Sequence, residues 1–269
     1  GSILFKEPVP RFDENLDPVT IVVSYECRHS GERNFIYGAR SSLEVADSLA
    51  FGVTAVLEEE GVENATLFGV DLSGRLADAV RVESEFAHSE KFALGGGNAF
   101  RILVAADRAP ARWSAYYRSV DDSFFNPSFT GGKTELGSRK FGADASWRAA
   151  RSLEIVAKGH RHAFQERDER KSYAGLAARY AADRLDCTVG FAAVARSDAR
   201  DGDRRGVLLR TGFGLAGERT SGGIEWDQIL DGDEVEEYPN RIQAKLSRRL
   251  WRRVSAVVKH EYRTGSLTG

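Results

Sequence analysis

Apolar and polar residues alternate along most of this chain. In ARWSAYYRSV, residues 111–120, one set of alternate positions holds Trp113, Ala115, Tyr117 and Ser119, and the other holds Arg112, Ser114, Tyr116 and Arg118. A period of two is the signature of a β-strand, whose successive side chains point to opposite faces. The pattern predicts strands over 20–29, 35–44, 49–59, 65–74, 79–88, 99–106, 112–120, 139–148, 153–163, 172–181, 185–196, 205–215, 220–230, 240–248 and 253–263, and a further one in the opening ILFKEPV. That is about 16 strands of roughly 9–11 residues. Soluble strands are nearer 5–6, whereas a tilted strand needs about 9–11 residues to cross a membrane.

Short polar kinks such as EVADS (44–48), RLADA (75–79) and AADRL (181–185) recur between strands. Longer connections rich in Gly, Asn, Asp, Ser and Lys, such as HSEKFALGGGN, QERDERK and SDARDGDRRG, separate the resulting hairpins. Tight turns on one side and longer loops on the other predict an up-and-down antiparallel arrangement with no helix. The long segment 121–138, DDSFFNPSFTGGKTELGS, holds Phe124, Phe125 and Phe129, an apolar content unusual for a solvated loop.

Which face is inside decides the class. A soluble sandwich would bury the apolar face against a second sheet; a membrane barrel would turn it to lipid. One face of each strand is almost uncharged, as in Leu49, Phe51, Val53, Ala55 and Leu57, or Leu185, Cys187, Val189, Phe191 and Ala193. These faces are rich in Ala, Gly and Val, with Tyr37, Trp113, Trp147, Tyr180, Trp226 and Tyr262 read as lying near strand ends. Aromatic belts of that kind border the lipid-facing band of a membrane barrel, while a soluble core needs large interdigitating side chains. The opposite faces carry Arg81, Glu83, Glu85, Arg101, Arg118, Asp144, Glu154, Lys158, Arg179, Asp186, Arg210, Lys245, Lys259 and Glu261 deep within strands, and these are expected to face a water-filled lumen. Phe124, Phe125 and Phe129 are the candidates for a constriction at its mouth.

These hairpins resemble those of the bacterial outer-membrane β-barrel class. RSSLEVADSLAFGVTAVLEEE, LSGRLADAVRVESEFAHSE and the lead-in FKEPVPRFDENLDPVTIVVSYE resemble the barrel region of large cell-envelope surface proteins. The likeness is architectural, and it carries no catalytic or binding residue across. The closing EYRTGSLTG departs from the class, whose last strand typically ends in an aromatic. The resemblance implies an all-β, up-and-down antiparallel transmembrane barrel over 19–269, a lead-in or first strand over 1–18, and a place in the bacterial outer membrane.

Composition changes this picture little. The chain has 269 residues and a formal net charge of −2, which gives no sign of nucleic-acid binding. Its two cysteines, Cys27 and Cys187, leave one disulfide open as a possibility. In GHRHAF, His160 and His162 share a face with Lys158 and lack a third ligand, so lumen polarity rather than a metal site is expected. FTGGKTE has Pro127 where a phosphate loop requires glycine. DARDGDRRG and DGDEVEE fall short of a complete calcium loop, and no nucleophile elbow is present. No enzyme activity, metal or cofactor is expected. The expected partners are membrane lipid and, in a longer protein, other domains or envelope components. The function expected is a pore for small polar solutes; the alternative is an anchoring barrel that conducts little or nothing.

Overall fold

The computed structural model describes residues 35–46, 48–60, 63–91, 95–126, 136–165, 167–199, 202–217, 220–233, 238–251 and 254–264. Among them are fourteen strands and no helix: β1 (Phe35–Ala46), β2 (Leu49–Glu60), β3 (Glu63–Ala77), β4 (Val80–Lys91), β5 (Gly95–Arg108), β6 (Ala111–Val120), β7 (Ser138–Ala150), β8 (Leu153–Phe164), β9 (Glu169–Ala182), β10 (Leu185–Asp198), β11 (Gly202–Ala216), β12 (Thr220–Gly232), β13 (Asn240–Trp251) and β14 (Val254–Thr264). They make one antiparallel sheet in chain order, β1 at one end and β14 at the other. Tight turns dictate this order, because a two-residue connection can only fold a strand back on its neighbour. Such turns lie at 78–79, 109–110, 151–152 and 183–184. At the last of these Asp183 has φ 47°, a left-handed conformation that Asp tolerates better than most residues.

The sheet therefore has fourteen strands among the described residues rather than about sixteen. The other two expected strands, ILFKEPV and 20–29, lie outside them, as does the lead-in 1–18. Most strands run on further than the pattern predicts. Much of HSEKFALGGGN, QERDERK and SDARDGDRRG is strand, not loop: β4 continues to Lys91, β9 starts at Glu169, and Asp198 pairs with Gly202. Polar composition marks where side chains meet water; it does not mark where the backbone ladder stops. Trp226 sits in the middle of β12, not near its end.

Two compact units divide the chain. The first runs to Gly74 and includes Glu83–Ile102 and Arg118–Arg139; the second comprises Arg75–Val82, Leu103–Tyr117 and the chain from Lys140. In the first, β1, β2 and β3 pair in continuous register apart from an irregularity between Glu44 and Ala46. In the second, β8 to β14 pair strand by strand, with Leu153 opposite Tyr180 and Asn240 opposite Thr264.

Burial is inverted in both units. In the first, Phe51, Phe68, Leu72, Phe86 and Phe100 are exposed; in the second, Leu176, Val189, Phe191, Phe213, Ile224, Leu246, Val254 and Val258 are exposed. The buried apolar side chains are few and mostly small: Ala65, Ala87 and Val120 in the first, Phe164, Ala192, Val194 and Leu208 in the second. They lie at odd or even positions opposite to the large apolar ones and share their face with buried Ser89, Lys140, His160, His162, Glu169 and Asp227. The inner strands thus have an exposed apolar face and a polar face that is the better covered of the two, whereas β1 is exposed along its whole length.

Candidate functional site

The polar face is built by the alternation itself. In the first unit, Glu83 and Glu85 share the face of Ala87 and Ser89 on β4, Arg101 that of Gly97 on β5, and Arg118 that of Val120 on β6. Asp71 on β3 opposes Gly52, where the missing side chain leaves room for its carboxylate, and Arg40 on β1 reaches it at 2.7 Å. Arg40 also donates to Thr54 Oγ1 at 3.2 Å.

The segment 121–126 lies against this face. Ser123 Oγ donates to the Gly96 carbonyl at 2.7 Å, and the Phe125 N–H donates to Ser89 Oγ at 2.7 Å. Asn98 donates from its backbone and its side chain to Asp121 Oδ2, at 2.9 and 3.1 Å. The Lys91 ammonium sits 4.7 Å from the centre of the Phe125 ring. A β-carbon at Gly97 would overlap the Phe124 backbone, so only glycine allows this approach. Phe124 and Phe125 are half-buried here; Phe129 and the whole of FTGGKTE lie outside the described residues.

In the second unit, Arg81, Asp144 and Lys158 line one recess of about 620 Å³ together with Arg75, Asp107 and Arg112. Arg112 and Asp107 pair at 2.9 Å. Glu154 opposes Arg179 across β8 and β9, and Arg179 Nε bonds Asp186 Oδ2 at 2.9 Å. Arg210 on β11 directly opposes Asp227 on β12 and pairs with it at 2.9 Å; Arg241 on β13 holds the other carboxylate oxygen at 2.7 Å. Lys245 opposes Lys259, and Glu261 is held by Gln243 and Arg263.

A second web was not legible in the pattern. Glu169 is 3.1 Å from both Lys171 and Arg196, and Arg196 also pairs with Asp198 at 3.3 Å. In the sequence QERDERK reads as a connection, so the pattern predicts no face for Glu169 and Lys171. Near this web three rings stack in a column: His160 on Tyr173, and Tyr173 on Tyr238, with centroids 5.4 Å apart in each case. His162 packs against Phe164. The two histidines are thus part of a covered aromatic and ionic layer, and among the described residues no three His, Cys, Asp or Glu side chains are grouped to hold a metal. Parts of DARDGDRRG and DGDEVEE lie outside the described residues, as does Cys27. Cys187 is a free, half-buried thiol on the apolar face.

Asp227 is the hub of its ion-pair triad, its side chain only 7% exposed. Replacing it with alanine leaves two guanidinium groups facing one another without their shared carboxylate. Arg210 and Arg241 retain some water contact, so the expected loss is about 1–3 kcal/mol rather than the larger cost of a fully buried pair. Urea unfolding of the folded chain measures it. Asp227→Asn, which keeps an acceptor, should lose less.

Compared with known proteins, the chain matches no family model and no curated sequence.

Proposed function

We propose that the chain forms an outer-membrane β-barrel enclosing a water-filled, mixed-charge pore for small polar solutes. The observation that carries this reading is the inversion of burial. Phe191 is 54% exposed, Leu176 59% and Val258 64%, while Asp227, Glu169 and Lys140 are buried on the opposite face. An apolar surface this extensive is unstable in water and suits lipid. Strands of 10–15 residues rise about 3.3 Å per residue; tilted by about 45°, even the shortest spans about 23 Å, close to the apolar band of outer-membrane barrels. Lipid offers no partner to an open sheet edge, so in this reading the edges at β1 and β14 are closed, with or without the two expected strands nearer the N-terminus. A closed barrel of 14 or 16 strands leaves water along its axis. Lipid is the partner of the apolar face, and the protein is neither an enzyme nor a nucleic-acid binder.

A second reading has its own support. The web around Glu169 and the segment 121–126 fill space at the loop ends of the strands, and the triad at Asp227 ties three strands together near mid-strand, as expected of an anchoring barrel that holds other domains or a surface assembly. Two measurements separate the readings. The purified chain should stay monodisperse only in detergent, and it should produce stepwise conductance in planar bilayers. Insertion without conductance selects the anchor; a monodisperse chain in plain buffer overturns both.

A further inference from the structure

We propose that the tight-turn rim of the second unit is a binding surface for anionic phospholipid headgroups, carried by a belt of exposed arginines. The inference rests on the barrel reading and deepens it by naming the chemistry of the lipid at one end of the strands.

The belt follows from the strand order. In an antiparallel sheet every second strand ends on the same edge. Neighbouring turns are joined along that edge: the Arg148 N–H donates to the Pro110 carbonyl, that of Ala181 to Ser152 and that of Ala216 to Arg184, each at 2.8 Å, and Thr220 lies opposite Arg248. The edge carries Arg108, Arg148, Arg151, Arg184, Arg248 and Arg249, all exposed and none ion-paired among the described residues. Of the carboxylates there, Asp107 is held by Arg112 and Asp186 by Arg179, and Glu154 opposes Arg179; Asp78 and Asp183 remain. At the other ends of these strands the two signs meet each other: Glu169 with Lys171 and Arg196, Asp168 with Arg170, Asp203 with Arg205, Glu261 with Arg263. Arg161 and Arg204 share that end with Asp231 and Asp233. The excess of positive charge therefore gathers at the turns.

Trp113, Trp147 and Tyr180 stand exposed on the apolar face just inside this rim. Arg151 follows Trp147 by four residues, and Arg184 follows Tyr180 by four. Four residues rise at most about 13 Å along a strand, or about 9 Å along the membrane normal at a tilt of about 45°. That step carries a guanidinium from an aromatic belt at the edge of the hydrocarbon into a headgroup layer about 5–8 Å deep. Guanidinium groups hold phosphate through paired N–H donors, and a cluster of them gains with each anionic headgroup beside it.

The test refolds the whole chain into phosphatidylcholine vesicles that contain either brominated phosphatidylglycerol or brominated phosphatidylcholine. Quenching of tryptophan fluorescence reads which lipid lies beside Trp113 and Trp147. The wild type should prefer phosphatidylglycerol at least about threefold at low ionic strength, and the preference should shrink at about 1 M salt, where the screening length is about 3 Å. Arg148→Gln/Arg151→Gln/Arg184→Gln/Arg248→Gln should bring it near equality; lysine at the same positions should keep most of it. Arg161→Gln/Arg170→Gln/Arg205→Gln, at the other end, should leave it unchanged. Insertion with equal quenching by the two lipids overturns the belt and leaves the barrel, and so does a preference that survives loss of the four turn-end arginines. A chain quenched by neither lipid overturns the barrel reading and the belt with it.

Discussion

Gly97→Ala is expected to drive the segment 121–126 off the polar face. Gly97 lies in an extended strand whose backbone any residue adopts, so the effect is steric and not conformational. The added β-carbon would occupy the place of the Phe124 backbone, which cannot yield as the tip of a flexible side chain would. Phe124 must move out, and with it go the bonds from Ser123 to Gly96 and from Phe125 to Ser89. Two hydrogen bonds and the burial of Phe125 under Lys91 are together worth about 1–3 kcal/mol. In the pore reading the segment narrows the passage, so Gly97→Ala should raise single-channel conductance. Chymotrypsin should also cut at Phe124 and Phe125 faster than in the wild type. Ser89→Ala removes one bond without forcing the backbone and should do less of both. Unchanged conductance together with faster cleavage would mean that the segment covers the rim without constricting the channel.

The second large effect concerns the apolar face. Phe191 lies in the middle of β10, between Leu176 of β9 and Leu209 of β11. In the barrel reading Phe191 faces lipid, and a charge at such a depth costs about 2–4 kcal/mol, so Phe191→Arg should sharply reduce the folded fraction in bilayers. Gly212→Arg places the same side chain on the polar face of β11, opposite Glu225. It should change stability by about 1 kcal/mol at most. Folding yield into vesicles, read by heat-modifiable gel mobility, compares the two. Equal losses would sink the assignment of the Phe191 face to lipid.

Alternation over ten or more residues made the fourteen described strands readable before any pairing was known, because the period of two is a local property of the backbone. The hairpin order followed from the two-residue turns, as at Asp183 and Arg184, which admit no other neighbour. Strand ends were less legible. Glu169, Lys171 and Asp198 are polar and adjoin a turn, which is also what a loop contains; the backbone nonetheless goes on pairing there, since charged side chains in water do not compete for ladder hydrogen bonds.

Alternation also assigned Lys158, Arg179 and Asp186 to one face of their strands, but it was silent on which carboxylate each cation meets. Arg40 reaches Asp71 two strands away, and Asp227 gathers Arg210 and Arg241 from the strands on either side of it. Those meetings depend on register, and a register is set by the whole pairing of two strands rather than by any single residue. The same is true of Lys245 and Lys259, each unremarkable in its own strand and placed opposite the other only by the ladder. The chain alone therefore determined strand, turn and face, which are properties of a few consecutive residues. Only the assembled sheet decided that the large apolar side chains stand exposed while Asp227 and Glu169 are covered, because burial is a relation between strands that no single strand contains.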